Sequence, residues 1–281
     1  AGVHRAVTHP VRIETALSSC EAFRSGPRNR DAGRMEWLAR GENELPDDDT
    51  WLAPAEAARL ARMRFTKRRT EYRLRRWAGK QAVAAVAGLD PTPARLAGIQ
   101  VLNRPTGAPY VLVDGDPIGV DVSLTDRAGW AVCLIGSPGG AVGVDLELVE
   151  PRSDGFVADF LTVPEIEFVR SLATEPDRHA AANLLWSAKE SALKVLRTGL
   201  RADTRSVQVT LDGAHRPDGW AALVVEAVDG RRFPGWWRRD GVFVLTVTYD
   251  APAEPPQLLA ATADLAAASP VHSWVDRPTA W

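Results

Sequence analysis

Two cysteines and five histidines in 281 residues leave little material for metal-thiolate or zinc chemistry. Cys20 and Cys133 have no partner at metal-ligand spacing, and the histidines are scattered without a zinc signature. Cys133 lies in the apolar run Trp130 to Ile135 and reads as a buried small hydrophobe. No uninterrupted apolar run is long enough for a membrane span. The N-terminal stretch shows no apolar core of a secretory signal. Neither sign of charge is in excess, since the formal net charge is −2. That balance gives no footprint for nucleic acid or an anionic membrane surface. Together these absences lead to the expectation of a cytoplasmic protein with no nucleic-acid and no membrane partner.

What is present is ordinary globular material, 45% hydrophobic and 25% charged, enough for one large domain or two small ones. Residues 1–33 show little periodicity and read as a partly ordered arm. A strand is expected at Met35 to Arg40, followed by an acidic loop over Glu44 to Thr50. Its Asp47-Asp48-Asp49 run lacks the turn glycine and distal glutamate of a calcium loop, so it reads as solvated. Helices are predicted over Pro54 to Met63 and Thr66 to Ala87, and strands over Ile99 to Leu102 and Pro109 to Val113. Gly119 to Leu124 and Trp130 to Ile135 read as a hairpin. Further strands are expected over Ser206 to Leu211, Trp220 to Val228 and Val242 to Thr248. Leu258 to Ala268 is alanine-rich and reads as a terminal helix.

Two stretches stand out because acids occupy core-like elements. Ala141-Val142-Gly143-Val144 follows the turn Ser137-Pro138-Gly139-Gly140 and reads as a buried strand. Asp145 and Glu147 then share one face, while Leu146 and Leu148 point to the other. At ~4 Å and an effective dielectric of about 20, two such carboxylates repel by about 4 kcal/mol, so a cation nearby is expected. A solvated strand end is the alternative. Ala180 to Arg197 has a helical apolar period interrupted by Lys189, Glu190 and Lys194. Glu190 and Lys194 are four apart and could form an ordinary surface pair, but Trp186 shares their face.

A third feature is basic. Arg69, Arg73, Arg76 and Lys80 recur at four-, three- and four-residue steps on the second helix, opposite Leu74, Ala78 and Val83. Only Glu71 lies near in sequence, so the stripe reads either as a solvated face or as a phosphate site.

Together, Gly143-Val144-Asp145-Leu146-Glu147 and, about forty residues further on, Trp186-Ser187-Ala188-Lys189-Glu190-Ser191-Ala192-Leu193-Lys194 resemble the two signatures of the 4′-phosphopantetheinyl transferases. Phe160 to Phe168 between them is similar to a segment of that family. The length resembles the larger, pseudo-dimeric Sfp-type monomers. The resemblance implies an α+β fold of two similar α/β halves related by a pseudo-two-fold. The halves would be 34–139 and 140–255, followed by a C-terminal helix and tail over 256–281. It implies transfer of 4′-phosphopantetheine from coenzyme A to a serine of an apo acyl carrier protein or peptidyl carrier domain, releasing 3′,5′-ADP. It implies Mg²⁺, with Mn²⁺ as a substitute, held by Asp145, Glu147 and Glu190. Glu190 or Glu147 would take the serine proton, and Lys189 and Lys194 would stabilise phosphate charge. Arg69, Arg76 and Lys80 would contact the phosphates of coenzyme A.

This chain also departs from the family pattern. Gly107-Ala108-Pro109 stands where Gly-Lys-Pro is common. Thr125-Asp126-Arg127 stands at the nucleotide-holding loop, where Ser-His-Ser is usual. Asp126 would repel a phosphate, and Arg127 is the expected substitute. Arg152 resembles a family basic residue. The departures motivate an alternative, a divergent member that binds coenzyme A or another phosphate ligand without turnover. A metal-dependent hydrolase is a third class, one that leaves the Trp-x-x-Lys-Glu pattern unexplained.

Overall fold

The computed structural model describes residues 35–197, 202–259 and 263–271. All of these belong to one unit, Gly33–Trp281. The arm expected over 1–33, Cys20 and the tail from Trp274 lie outside the described residues.

Among the described residues six α-helices occur: α1 (Pro54–Ala61), α2 (Thr66–Ala87), α3 (Pro93–Gly98), α4 (Asp154–Phe160), α5 (Val163–Ser171) and α6 (Glu175–Val195). The strands are β1 (Glu36–Gly41), β2 (Ile99–Asn103), β3 (Pro109–Val113), β4 (Asp116–Pro117), β5 (Asp121–Arg127), β6 (Trp130–Gly136) and β7 (Val142–Leu148). They continue with β8 (Val207–His215), β9 (Ala221–Ala227), β10 (Arg232–Asp240), β11 (Phe243–Tyr249) and β12 (Gln257–Leu258). One sheet runs β12-β1-β6-β5, a second runs β7-β11-β10-β9-β8, and β2-β3-β4 form a third. The fold is therefore mixed α+β. Among the described residues no helix is long and apolar enough to cross a membrane.

Alternation along the strands sets the layers. On β1, Leu38 packs with α2 residues Leu74, Ala78, Ala82 and Val83. Its neighbours Trp37 and Ala39 turn the other way and meet Val144, Leu146, Leu245 and Val247 of the second sheet. Leu185, Ala188 and Ala192 of α6 then cover the far face of that second sheet against Val207, Val209 and Val225. Strands buried on both faces need no polar alternation, which is why β6 reads as one apolar run.

On β7, Val142, Val144, Leu146 and Leu148 enter the core between the sheets. Gly143, Asp145 and Glu147 are left on the α6 side. A Cβ on Gly143 would collide with the Ser191 carbonyl oxygen of α6. Glycine here is what lets the helix backbone lie against the strand. Gly143→Ala is expected to force α6 outward and cost about 1–3 kcal/mol, as overpacking does. Urea unfolding checks this, and a wild-type midpoint would show that the helix can shift freely.

Several elements differ from expectation. No helix forms among the described residues of the range Leu258 to Ala268, from which 260–262 are excluded. Gln257 and Leu258 instead pair with β1 in parallel, and the amides of Leu259 and Ala263 bond to the carbonyls of Trp37 and Ala39. The open edge of β1 offers these groups partners, and that outweighs alanine's helix propensity. Leu265 anchors the segment in the core, and the Val271 amide reaches the Ala128 carbonyl. Helix α6 begins at Glu175, five residues before Ala180, because the Thr174 side chain caps the Asp177 amide and Pro176 occupies the first turn. Strand β10 carries Pro234 and Gly235, which hide it from any strand pattern. Gly235 is required there because a Cβ would collide with the Val247 carbonyl.

Candidate active site

The acids of β7 and α6 come together. Asp145 is 6% exposed. Its Oδ1 accepts from Lys194 Nζ at 2.9 Å and from Thr125 Oγ1 at 3.1 Å. Lys194 also donates to the Val144 carbonyl at 2.6 Å. The cation expected beside Asp145 is therefore Lys194, which uses the strand acid and not Glu190 as its partner. Glu147 has cations of its own, Arg127 Nε and Arg152 Nη2, each 3.2 Å from Oε2. Trp186 Nε1 donates to Glu147 Oε1 at 3.0 Å. The indole is held by edge contacts with Phe156 and Phe160 of α4, at centroid distances of 5.3 and 4.8 Å. Arg152 lies over Phe156.

These carboxylates strain against one another. Burial, and then the Asp145 charge, push Glu190 up to about 7. The same two causes, in the same order, push Glu147 up to about 7. Asp145 Oδ2 and Glu190 Oε1 are buried and have no hydrogen-bond partner, a state that native interiors rarely leave uncompensated. Among the described residues, no three His, Cys, Asp or Glu side chains are assembled as a finished metal cage. The donor set nonetheless suits a hard divalent cation. It offers two unsatisfied carboxylate oxygens and no soft ligand, and Mg²⁺ needs few protein ligands.

Beside this cluster lies a cavity of about 320 Å³. Arg59, Arg75, Arg76, Lys194 and Arg197 line it, with Asp121 as its one acid among the described residues. Lys194 belongs to both the cavity and the acid cluster. An anion with several charges is the ligand such a lining fits.

The basic stripe does not act as a unit. Arg69 is turned away and donates to the Leu60 carbonyl at 2.7 Å. Arg73 binds Asp49 at 2.8 Å. Lys80 is fully buried, 2.6 Å from Glu56, and donates to the Trp51 and Leu96 carbonyls. Only Arg76 reaches the cavity, fixed by Asn103 Oδ1 at 2.6 Å. The reading that these cations lack internal partners is thus corrected. Local sequence shows only Glu71, whereas their partners come from distant segments.

Lys189 is corrected in the same way. It is fully buried, 2.8 Å from Glu165, and donates to the Thr204 and Val207 carbonyls. No donor is left to face a phosphate. Thr125 is buried against Asp145, and Arg127 is paired with Glu147 and Glu150. Asp126 does not repel a ligand unopposed, because Arg75 of α2 pairs with it directly. Sequence reasoning missed Arg59, Arg75 and Arg197. Arg75 falls one residue off the stripe, and nothing local links it to Asp126.

The sequence model of the 4′-phosphopantetheinyl transferase superfamily matches residues 141–219, the segment holding both acidic stretches. The chain is 32% identical over 225 residues to a protein of Streptomyces mobaraensis described as 4′-phosphopantetheinyl transferase Svp. That alignment covers 75% of this chain and 84% of the relative.

Proposed function

The chain belongs to the 4′-phosphopantetheinyl transferase superfamily, and on that footing we propose a Mg²⁺-dependent transfer from coenzyme A to a serine of an apo acyl or peptidyl carrier. The observation that carries the reading is the pair of unsatisfied buried oxygens, Asp145 Oδ2 and Glu190 Oε1, beside a cavity lined by five cations. Asp145 and Glu190 would hold the ion through those oxygens, with Glu147 beside them as the third acid. Bound Mg²⁺ supplies charge neutralisation at the pyrophosphate. Lys194 stabilises charge that builds on the phosphates. The serine oxygen attacks the phosphorus that carries pantetheine, and the bond to 3′,5′-ADP breaks. The hydroxyl proton passes to Glu190 or Glu147.

Arg76 and Arg75 grip the nucleotide phosphates, and Asp126 fixes the Arg75 guanidinium at the cavity lip. In this reading Asp126 and Arg75 together serve where the family uses histidine. This removes the main ground for a member that binds without turnover.

We further propose that the halves, 34–139 and 140–255, are related by a pseudo-two-fold. The support is a repeated set of bonds. Glu56, near the start of α1, accepts from the Ala53 and Val101 amides and from Lys80 of α2. Glu165, near the start of α5, accepts from the Thr162 and Val209 amides and from Lys189 of α6. Strand order β1-β6-β5 likewise parallels β7-β11-β10. Gln81 follows Lys80 where Glu190 follows Lys189, so one acid site is formed and not two. A monomer is then sufficient.

The test is intact-mass measurement of an apo carrier incubated with coenzyme A and Mg²⁺. A gain of one phosphopantetheine is expected, and chelation should prevent it. Arg75→Ala should raise the KM for coenzyme A about tenfold, as loss of a charge-assisted phosphate contact does. An unshifted carrier mass under these conditions would refute the reading.

A further inference from the structure

The two large sheets meet along an edge where side chains replace main-chain pairing. β7 gives one edge to β11. On its other edge, three alternate amides are received by three alternate side chains of β5. The Val142 amide donates to Asp121 Oδ2 at 3.0 Å, Val144 to Ser123 Oγ at 3.0 Å, and Leu146 to Thr125 Oγ1 at 3.4 Å. The two-residue repeat on both strands follows from strand geometry. Buried amides require acceptors, and β5 supplies them from its side chains.

Only the last rung does more. Thr125 Oγ1 accepts from Leu146, so its own hydrogen is available, and Asp145 Oδ1 lies 3.1 Å away. Lys194 donates to that same Oδ1. With both donors on one oxygen, Oδ2 is left buried and without a partner.

We infer that Thr125 is a positioning residue, whose hydroxyl turns the Asp145 carboxylate so that Oδ2 is the oxygen offered to the divalent cation. The inference rests on the metal reading above. It reassigns Thr125 from nucleotide contact to orientation of the acid: the residue is 6% exposed, and its hydroxyl donates to Asp145 and accepts from Leu146. Neighbours that orient a metal-binding carboxylate commonly change affinity by about 10–100-fold when removed.

Mn²⁺ serves as the probe, because the free ion gives a paramagnetic resonance signal that is lost on binding. Thr125→Val keeps the shape and removes the hydroxyl. Its Mn²⁺ dissociation constant should rise about tenfold or more, and kcat should fall by a similar factor. The KM for coenzyme A should stay within about twofold, because no ligand contact is lost. Thr125→Ser should return both values toward wild type. Ser123→Ala removes the neighbouring rung, which does not touch Asp145, and should lower stability without weakening Mn²⁺ binding. If Thr125→Val does not fold, Thr125→Ala compared with Thr125→Ser gives the same readings.

Wild-type Mn²⁺ affinity in Thr125→Val overturns the inference, as does equal weakening in Ser123→Ala. Asp145→Ala separates the two levels. Unchanged Mn²⁺ binding in that variant overturns the metal reading and this inference with it. Binding lost there but kept in Thr125→Val overturns the role of Thr125 alone.

Discussion

Asp145→Ala and Glu190→Ala are each expected to reduce carrier loading by about a thousandfold or more, and in Glu190→Ala the folded state becomes no less stable. The first part follows from the chemistry. Removing about 4 kcal/mol of charge stabilisation at a transferring phosphate corresponds to roughly three decades in rate. The second part follows from the repulsion inside the cluster. Glu190 is raised to about 7 from 4.5 by burial and by Asp145. A carboxyl whose folded pKa lies above its unfolded value binds protons more tightly when folded. Its contribution is therefore greatest below about pH 4.5 and is lost as pH rises through about 7. By that shift, ionised Glu190 costs the cation-free protein about 3 kcal/mol at pH 8. Glu190→Gln should remove the Glu190 share of this fall in stability between about pH 4.5 and 7, leaving that of Glu147, which is raised to about 7 as well, and Mg²⁺ should offset it in the wild type. Loading by the wild type should decline below about pH 7, where protons compete for the same oxygens. Thermal unfolding against pH, with and without Mg²⁺, beside a loading assay, measures all of this. Wild-type loading by either alanine variant would end the assignment of these acids to the metal.

The acid cluster was legible because its signal is local. Asp145 and Glu147 two apart on a strand, and Glu190 four from Trp186 on a helix, have directions set by backbone periodicity alone. The bounds of α2, Thr66–Ala87, were legible for the same reason. What was not legible depends on pairing between distant segments. Arg69, Arg73, Arg76 and Lys80 share a helix face, yet four different environments receive them, and only Arg76 meets the cavity. Asp126 looked like a repulsive charge because its partner, Arg75, lies 51 residues away. The repeated bond set also escaped notice. Trp77-Ala78-Gly79-Lys80-Gln81 and Trp186-Ser187-Ala188-Lys189-Glu190 share only tryptophan and lysine at matched spacing. The positions between them are free to differ because the lysine's buried acid, not the intervening side chains, fixes the arrangement.

Lys189→Met should lower folding stability by about 3–5 kcal/mol, the usual result of removing one partner from a buried ion pair, while leaving the KM for coenzyme A unchanged. Glu165 accepts from the Thr162 amide at 2.7 Å, the Val209 amide at 2.7 Å and Lys189 Nζ at 2.8 Å. One carboxylate thus fastens the start of α5, the middle of α6 and strand β8. Without the ammonium, a fully enclosed negative charge keeps only two neutral donors. Burial already holds the Lys189 ammonium below its ordinary range, so the pair persists because three acceptors surround it. Adding Glu165→Gln to Lys189→Met removes the orphaned charge and should recover part of the loss. A non-additive double-mutant cycle in urea would register that recovery. The neighbouring residue is Glu190, so any slippage of α6 moves a proposed metal ligand. The surviving folded fraction should then lose kcat before it loses coenzyme A affinity. Lys80→Met should behave alike in stability through Glu56, but with less effect on kcat, because the residue after Lys80 is Gln81. A Lys189→Met protein of wild-type stability whose KM for coenzyme A had risen would reverse the assignment and return Lys189 to the phosphates.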